Sequence, residues 1–460
     1  MKNTFLLTII LLSQTLWAQK NDSLLIRSIY DEALTNSVSY EWLETLCKKI
    51  GSRLSGSPEA EKAVAFTKQI METEKFDTVY LQEVMVPHWV RGKNESCIVS
   101  SEKLGKINLS ACALGNSNGT EGKNLTAEIV LVNDFKELAI LGEKNIKGKM
   151  VFFNKAFDEK LINTFGAYGG CVSYRFNGAV EAAKYGAVAV LVRSMSHEND
   201  AHPHTGSMGY QADYAQIPGM AISTKDAENL IQYLKTDSKL KITINLDCKM
   251  LGEVLSYNVI GEIKGSKKPN EIIAVGGHLD SWDKGEGAHD DGAGCMHSIE
   301  ALRILKKIGY QPERTLRVIM FMNEENGLKG ALKYAEIAKK SGQTNFAAIE
   351  SDRGGFTPRG FTFDTDNEKK LATFKTFRKH LEPYGLHFFE KGGSGADVGQ
   401  LKSLGTNLFG FIPDSQRYFN HHHAETDNFE TVNKRELQLG SASIASLIYL
   451  LDKYGNEFGL

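Results

Sequence analysis

The chain has 460 residues, 42% of them hydrophobic and 24% charged, with a formal net charge of -2. That length is long for one domain and predicts two, or one carrying a large insertion. The near-balanced charge excludes nucleic acid and an anionic membrane surface as expected partners.

In chain order, the first segment is "MKNTFLLTIILLSQTLWAQK". A basic start, an apolar stretch and a small residue at Ala18 predict a secretory signal over residues 1–18, removed from a secreted or periplasmic protein. The apolar stretch is too short to span a bilayer, and nothing later is long and apolar enough, so no membrane span is expected. Helices are predicted over "SLLIRSIYDEALTN", "SYEWLETLCKKIG" and "SPEAEKAVAFTKQIMETEK", the last with Ser57 as N-cap and Pro58 just inside. "FDTVYLQEVMVPHWV" alternates as a strand does. From about residue 124 to 254, short apolar strands ("TAEIVLV", "KGKMVFF", "GAVAVLV", "IPGMAIS", "KLKITINLDCKM") mix with two short helices. This region reads as self-contained. From 255 to 460, strands and helices alternate, which predicts an α/β unit with a largely parallel sheet and helices on both faces. Six scattered cysteines show no metal-binding spacing; in a secreted chain some could pair, in a pattern the sequence leaves open.

The chemistry-bearing residues follow apolar strands. "EIIAVGG" precedes His278 and Asp280, "RVIMFMN" precedes Glu324 and Glu325, and "FAAIES" precedes Asp352. Ligands of open α/β sheets bind beyond the carboxyl ends of strands, so these groups are expected at one sheet edge. Histidine and carboxylate without thiolate suit zinc. His278, Asp290, Glu325, Asp352 and a histidine from "NHHHAETDN" exceed one open zinc site but fit two metals sharing a carboxylate. Taken singly each motif is weak. H-x-D is common, "DDGAG" suits a helix start, and a histidine triple is usually surface.

Together, "HLD", "DDGAG", "NEEN", "ESD" and "HHHAETD", in this order, resemble the co-catalytic zinc exopeptidases of metallopeptidase family 28, and most nearly the carboxypeptidase Q branch. The resemblance implies a zinc-exopeptidase (phosphorylase/hydrolase-like) catalytic domain formed by residues 19–123 and 255–460. Its mostly parallel mixed sheet is flanked by helices, and residues 124–254 form an inserted α+β protease-associated domain. It implies two zinc ions. Asp290 would bridge them, His278 and Asp352 would complete one site, and Glu325 and His423 the other. His422 remains the alternative to His423, because Asn428 stands where the family usually has Thr after the acid Asp427. Asp280 would accept the second imidazole N–H of His278. Glu324 would be the general base and acid. His422, Arg353, Ser394, Gly395 and Asp397 are candidate substrate contacts. The expected activity is hydrolysis of dipeptides or short peptides with a free terminus, from the carboxy or the amino end, by a possible homodimer. Rival readings are a related peptidase with a dimerisation lid, a single-zinc glutaminyl cyclase-like acyltransferase and a non-catalytic receptor. The insertion before His278 disfavours the first. The complete ligand set and Glu324 disfavour the other two.

Overall fold

A computed structural model describes residues 22–459 of the chain. The predicted signal lies outside the described residues. Two eight-stranded sheets organise the rest.

The first sheet contains β1 (Thr78–Val90), β2 (Lys249–Ile263), β3 (Lys268–His278), β4 (Arg314–Phe321), β5 (Thr344–Glu350), β6 (Pro358–Asp364), β7 (Phe388–Lys391) and β8 (Asn407–Pro413). Their spatial order is β1-β2-β4-β3-β5-β8-β6-β7. The centre, β4-β3-β5-β8, is parallel throughout, and antiparallel pairs appear towards both edges. The fold class is therefore α/β with mixed sheets flanked by helices, as expected. β3 shows why the centre is continuously apolar. Ile273 and Val275 enter one core and Ile272 and Ala274 the other, so both faces are covered. Helices α1 (Pro58–Thr73), α2 (Ala293–Lys307) and α4 (Lys434–Tyr454) bury their apolar residues on the first face, and α3 (Lys329–Lys340) lies on the second. The predicted cap of α1 forms: Ser57 accepts from the Ala60 amide.

The second sheet joins strands from Glu95–Ser101 through Lys241–Leu246. It begins upstream of residue 124 because residues 95–113 pair with its strands rather than with the first sheet. The chain leaves the first sheet at the end of β1 and returns at the start of β2, where Val90 faces Lys249. The second unit is thus an insertion between two paired strands. All six cysteines are buried and free, so no disulfide braces either unit. No helix among the described residues is long and apolar enough to cross a membrane.

Candidate metal centre and active site

The parallel centre of the first sheet sets the site. His278 closes β3, Glu324 and Glu325 follow β4, and Asp352 follows β5. His422 and His423 follow β8 by way of the short helix Tyr418–His421. Asp290 comes from the irregular turn Ala288–Gly292 that opens α2, not from the helix itself, and its φ of -122° is extended.

These side chains converge. His278 Nε2 lies 3.2 Å from Asp290 Oδ1 and 3.6 Å from Asp352 Oδ1. His423 Nε2 lies 3.4 Å from Asp290 Oδ2 and 3.1 Å from Glu325 Oε2. One carboxylate therefore turns one oxygen to each of two donor sets. His422 Nε2 is 3.8 Å from Asp290 Oδ2, and its ring stacks on His423 at 3.5 Å. Buried oxygens of this set, Asp290 Oδ2 and Asp352 Oδ1, accept no hydrogen bond. Buried carboxylate oxygens left so are costly, and a bound cation removes that cost. Borderline histidine and hard carboxylate donors fit zinc.

The surrounding hydrogen bonds hold the donors. Asp427 accepts from the amides of His289 and Asp290 at 2.7 and 3.1 Å, and so fixes the backbone that carries Asp290. Asp291 accepts from the His278 amide at 3.1 Å. Arg53, fully buried, donates to the carbonyls of Leu279, Glu286 and Gly287, tying the two ends of the intervening loop together. Glu325 Oε1 accepts from the Trp282 amide at 3.2 Å, leaving Oε2 for His423.

Asp280 corrects the sequence expectation. His278 Nδ1–H donates to the Asp280 backbone carbonyl at 2.9 Å, while the carboxylate is 3.9 Å away. The carboxylate instead accepts from the amides of Asn323, Glu324 and Glu325 at 2.7, 3.0 and 3.3 Å. It caps the turn after β4 and so orients both glutamates. Burial, reinforced by the charges of Asp352, Asp280 and Asp290 and opposed by His278, raises Glu324 to about 8. Burial pushes His422 down to about 3, so its ring is neutral at working pH.

The second unit completes the site, a role for which no local sequence pattern stood out. The segment "HENDAHPH" supplies part of it. In the fold, His204 is buried and its Nδ1–H donates to the His422 carbonyl at 2.8 Å. The Thr205 amide donates to the His423 carbonyl at 2.9 Å, and the Thr205 carbonyl lies 3.3 Å from His423 Nδ1. A Cβ at Gly206, whose φ is +123°, would stand 2.6 Å from that same nitrogen. A cleft of about 730 Å³ lies between the units. Asp290, Glu324, Glu325, Asp352, His422 and His423 line one side, and Phe165, Tyr168, Arg175 and Phe176 the other.

Four expected substrate contacts are absent from this lining. Arg353 lies in a neighbouring pocket, with its guanidinium over the Phe165 ring at 4.6 Å. Ser394, Gly395 and Asp397 pack behind the site, because Glu350 accepts from the Val398 amide and pulls that loop onto β5. Gly395 is pressed so closely that a Cβ would meet the Glu350 carboxylate at 2.0 Å. His422 does line the cleft.

A parallel-centred α/β sheet with a histidine–carboxylate cluster at its carboxyl edge defines a metal-dependent hydrolase. Comparison with known proteins sharpens this class. Residues 258–448 match the family model "Peptidase family M28". Human carboxypeptidase Q is 35% identical over 92% of this chain and 87% of its own. The crystal structure of a peptidase M28 precursor from Shewanella amazonensis SB2B superposes with a TM-score of 0.89, at 31% identity, covering 94% of this chain and 97% of that one. BSAP, a zinc aminopeptidase from Bacillus subtilis, shares the fold with a TM-score of 0.62 at 21% identity, covering 89% and 93%. The chain belongs to peptidase family M28, in agreement with the resemblance read from its motifs.

Proposed function

We propose that this protein is a secreted exopeptidase that binds two zinc ions and hydrolyses dipeptides or short peptides with a free terminus. The observation that carries the reading is Asp290, with one oxygen towards His278 and Asp352 and the other towards His423 and Glu325. In this reading His278, Asp352 and Asp290 hold one ion, and Asp290, Glu325 and His423 the other. His422, stacked behind His423, faces the cleft as a neutral hydrogen-bonding group. When bound, the two ions would polarise the scissile carbonyl and acidify the attacking water.

Glu324 lines the cleft without a place in either donor set. Its raised pKa suits a group that takes a proton from water and returns it to the leaving amine. Asp280 aims it through the three amides of its turn. Residues 1–18 are proposed as the signal and the second unit as a protease-associated domain, which walls the cleft and limits it to short substrates. A homodimer is proposed on the family resemblance, and sedimentation as a monomer would remove it.

Metal analysis together with a hydrolysis panel tests the function. Two zinc ions per chain are expected. So is cleavage of free dipeptides that is lost when both termini are blocked. One zinc per chain, or cleavage indifferent to both blocks, would overturn the reading.

A further inference from the structure

Arg175 stands out among the buried arginines. Arg91, Arg303, Arg314 and Arg317 each pair with a carboxylate, and Arg53 spends its donors on three carbonyls. Arg175 is 5% exposed, lines the cleft, and meets no carboxylate at ion-pair distance among the described residues. Nη2 donates to the Tyr168 hydroxyl at 2.8 Å. Nη1 lies 3.5 Å from the Thr205 carbonyl and 3.3 Å from His423 Nδ1. Nε donates to nothing. A guanidinium without an anion is unfavourable in a buried wall, and its planar fork is suited to a carboxylate.

We propose that Arg175 forms a carboxylate subsite, contributed to the cleft by the second unit, that takes the C-terminal carboxylate of the peptide. This rests on the peptidase reading above and adds the terminus that the enzyme recognises. The Tyr168 ring lies against the guanidinium, 5.5 Å from its Cζ, and lines the same cleft wall. The guanidinium also lies against His423, whose other nitrogen faces Asp290 and Glu325. An extended residue spans about 3.5 Å, so a carboxylate held here lies about one residue beyond the bond that is cut. The expected product is a single C-terminal amino acid. A free amino group at the same place would meet a like charge.

The test compares Ala-Leu, its C-terminal amide, and Ala-Glu amide, in which the only carboxylate is a side chain. Wild type should favour Ala-Leu over both amides by roughly 10- to 100-fold in kcat/KM, the range of a charge-assisted hydrogen bond. Arg175→Met should bring the acid-to-amide ratio close to one, and Arg175→Lys should restore part of it. A wild-type ratio near one overturns the proposal. So does Ala-Glu amide matching Ala-Leu, or Arg175→Met lowering acid and amide equally, which would mark a role in placing His423 only. Calorimetry in a Glu324→Gln background reads binding without turnover. There, tighter binding of Ala-Leu than of its amide should vanish with Arg175→Met, and equal binding of the two in the parent overturns the subsite. Absence of hydrolysis of every peptide by wild type would sink the peptidase reading, while this binding comparison would still decide the subsite.

Discussion

The two units use the same structural position for different ends. In the second sheet, the parallel strands Leu125–Val132 and Gly219–Ile222 end in groups that cap helices. Asp134 accepts from the Glu137 amide and Ser223 from the Asp226 amide. In the first sheet, the ends of β3, β4 and β5 carry His278, Glu325 and Asp352, and the turn before α2 carries Asp290. There, Asp290 Oδ2 and Asp352 Oδ1 accept no hydrogen bond. A polar group at a strand end is therefore not a site in itself. It becomes one where several converge and the backbone does not satisfy them. The second unit gives up such chemistry but contributes the wall that faces it, through His204, Thr205, Gly206 and Arg175.

The largest effect expected lies wholly on the first unit. Glu324→Gln should lower kcat by ~100- to 10,000-fold, the usual range for a lost general base. Zinc content by atomic absorption should stay unchanged, since Glu324 belongs to neither donor set. Retained turnover would remove Glu324 from the chemistry. Asp427→Ala should come next. It frees the backbone of Asp290 and should weaken zinc binding ~10- to 100-fold, read by competition with a chelator. A wild-type affinity would mean that Asp427 does not position Asp290.

Gly206→Ala probes the second unit's share. Its new Cβ would stand 2.4 Å from Arg175 Cζ and 2.6 Å from His423 Nδ1. Stability should fall by ~1–3 kcal/mol and activity should drop with it. Ile140→Ala, in the same unit at an 84% exposed position, should change neither by more than ~0.5 kcal/mol. Equal behaviour of the two variants in thermal unfolding and turnover would dissolve the link between the units.

The smallest effect is on pH. Burial, with Asp352 adding to it, raises both Glu324 and Glu350 to about 8. A carboxyl whose folded pKa is raised stabilises the fold below its unfolded pKa and loses that contribution as pH rises through the folded value. Burial lowers His289 and His297 to about 3. A lowered histidine acts in the other direction, and only below its ordinary value of about 6.5. Between about pH 6.5 and 8.5 the lowered histidines no longer contribute, while the carboxyl contribution is still being lost. Burial would lower His278, but hydrogen bonds to Asp290 and Asp352 hold it well above its ordinary value, so its contribution is lost in the same direction. The Tm of metal-free protein should therefore fall. Bound zinc, whose positive charge beside these carboxyls favours their ionised form, should flatten the fall. A metal-free Tm that rises over this window would contradict the assignment.

Much of the first unit was legible. β3, β4, β5 and β8 are short, nearly continuous apolar runs; His278, Glu325 and Asp352 stand at or just after the ends of three of them, while Asp290 and His423 follow only after a loop or a short helix. Other elements were not. β6 and β7, "PRGFTFD" and "FFEK", carry charged residues and form no apolar run. Asp280 was named as a key residue, but its carboxylate caps the turn at Glu324 and Glu325, because that turn's amides need an acceptor that only the folded sheet brings near. Asp397 was a candidate contact, but Glu350 draws its loop behind the site.

The sequence alone supplied the candidate donors, their order along the chain, and the apolar strands they follow. These follow from local hydrophobic periodicity and turn chemistry, which act over a few residues. Only the tertiary structure decided that Asp290 faces both donor sets, that Arg53 ties the loop between β3 and α2, and that Arg175 meets His423 across 248 positions of chain. Such pairings arise from the packing of one unit on the other, and close approach in space leaves no period or spacing in the chain.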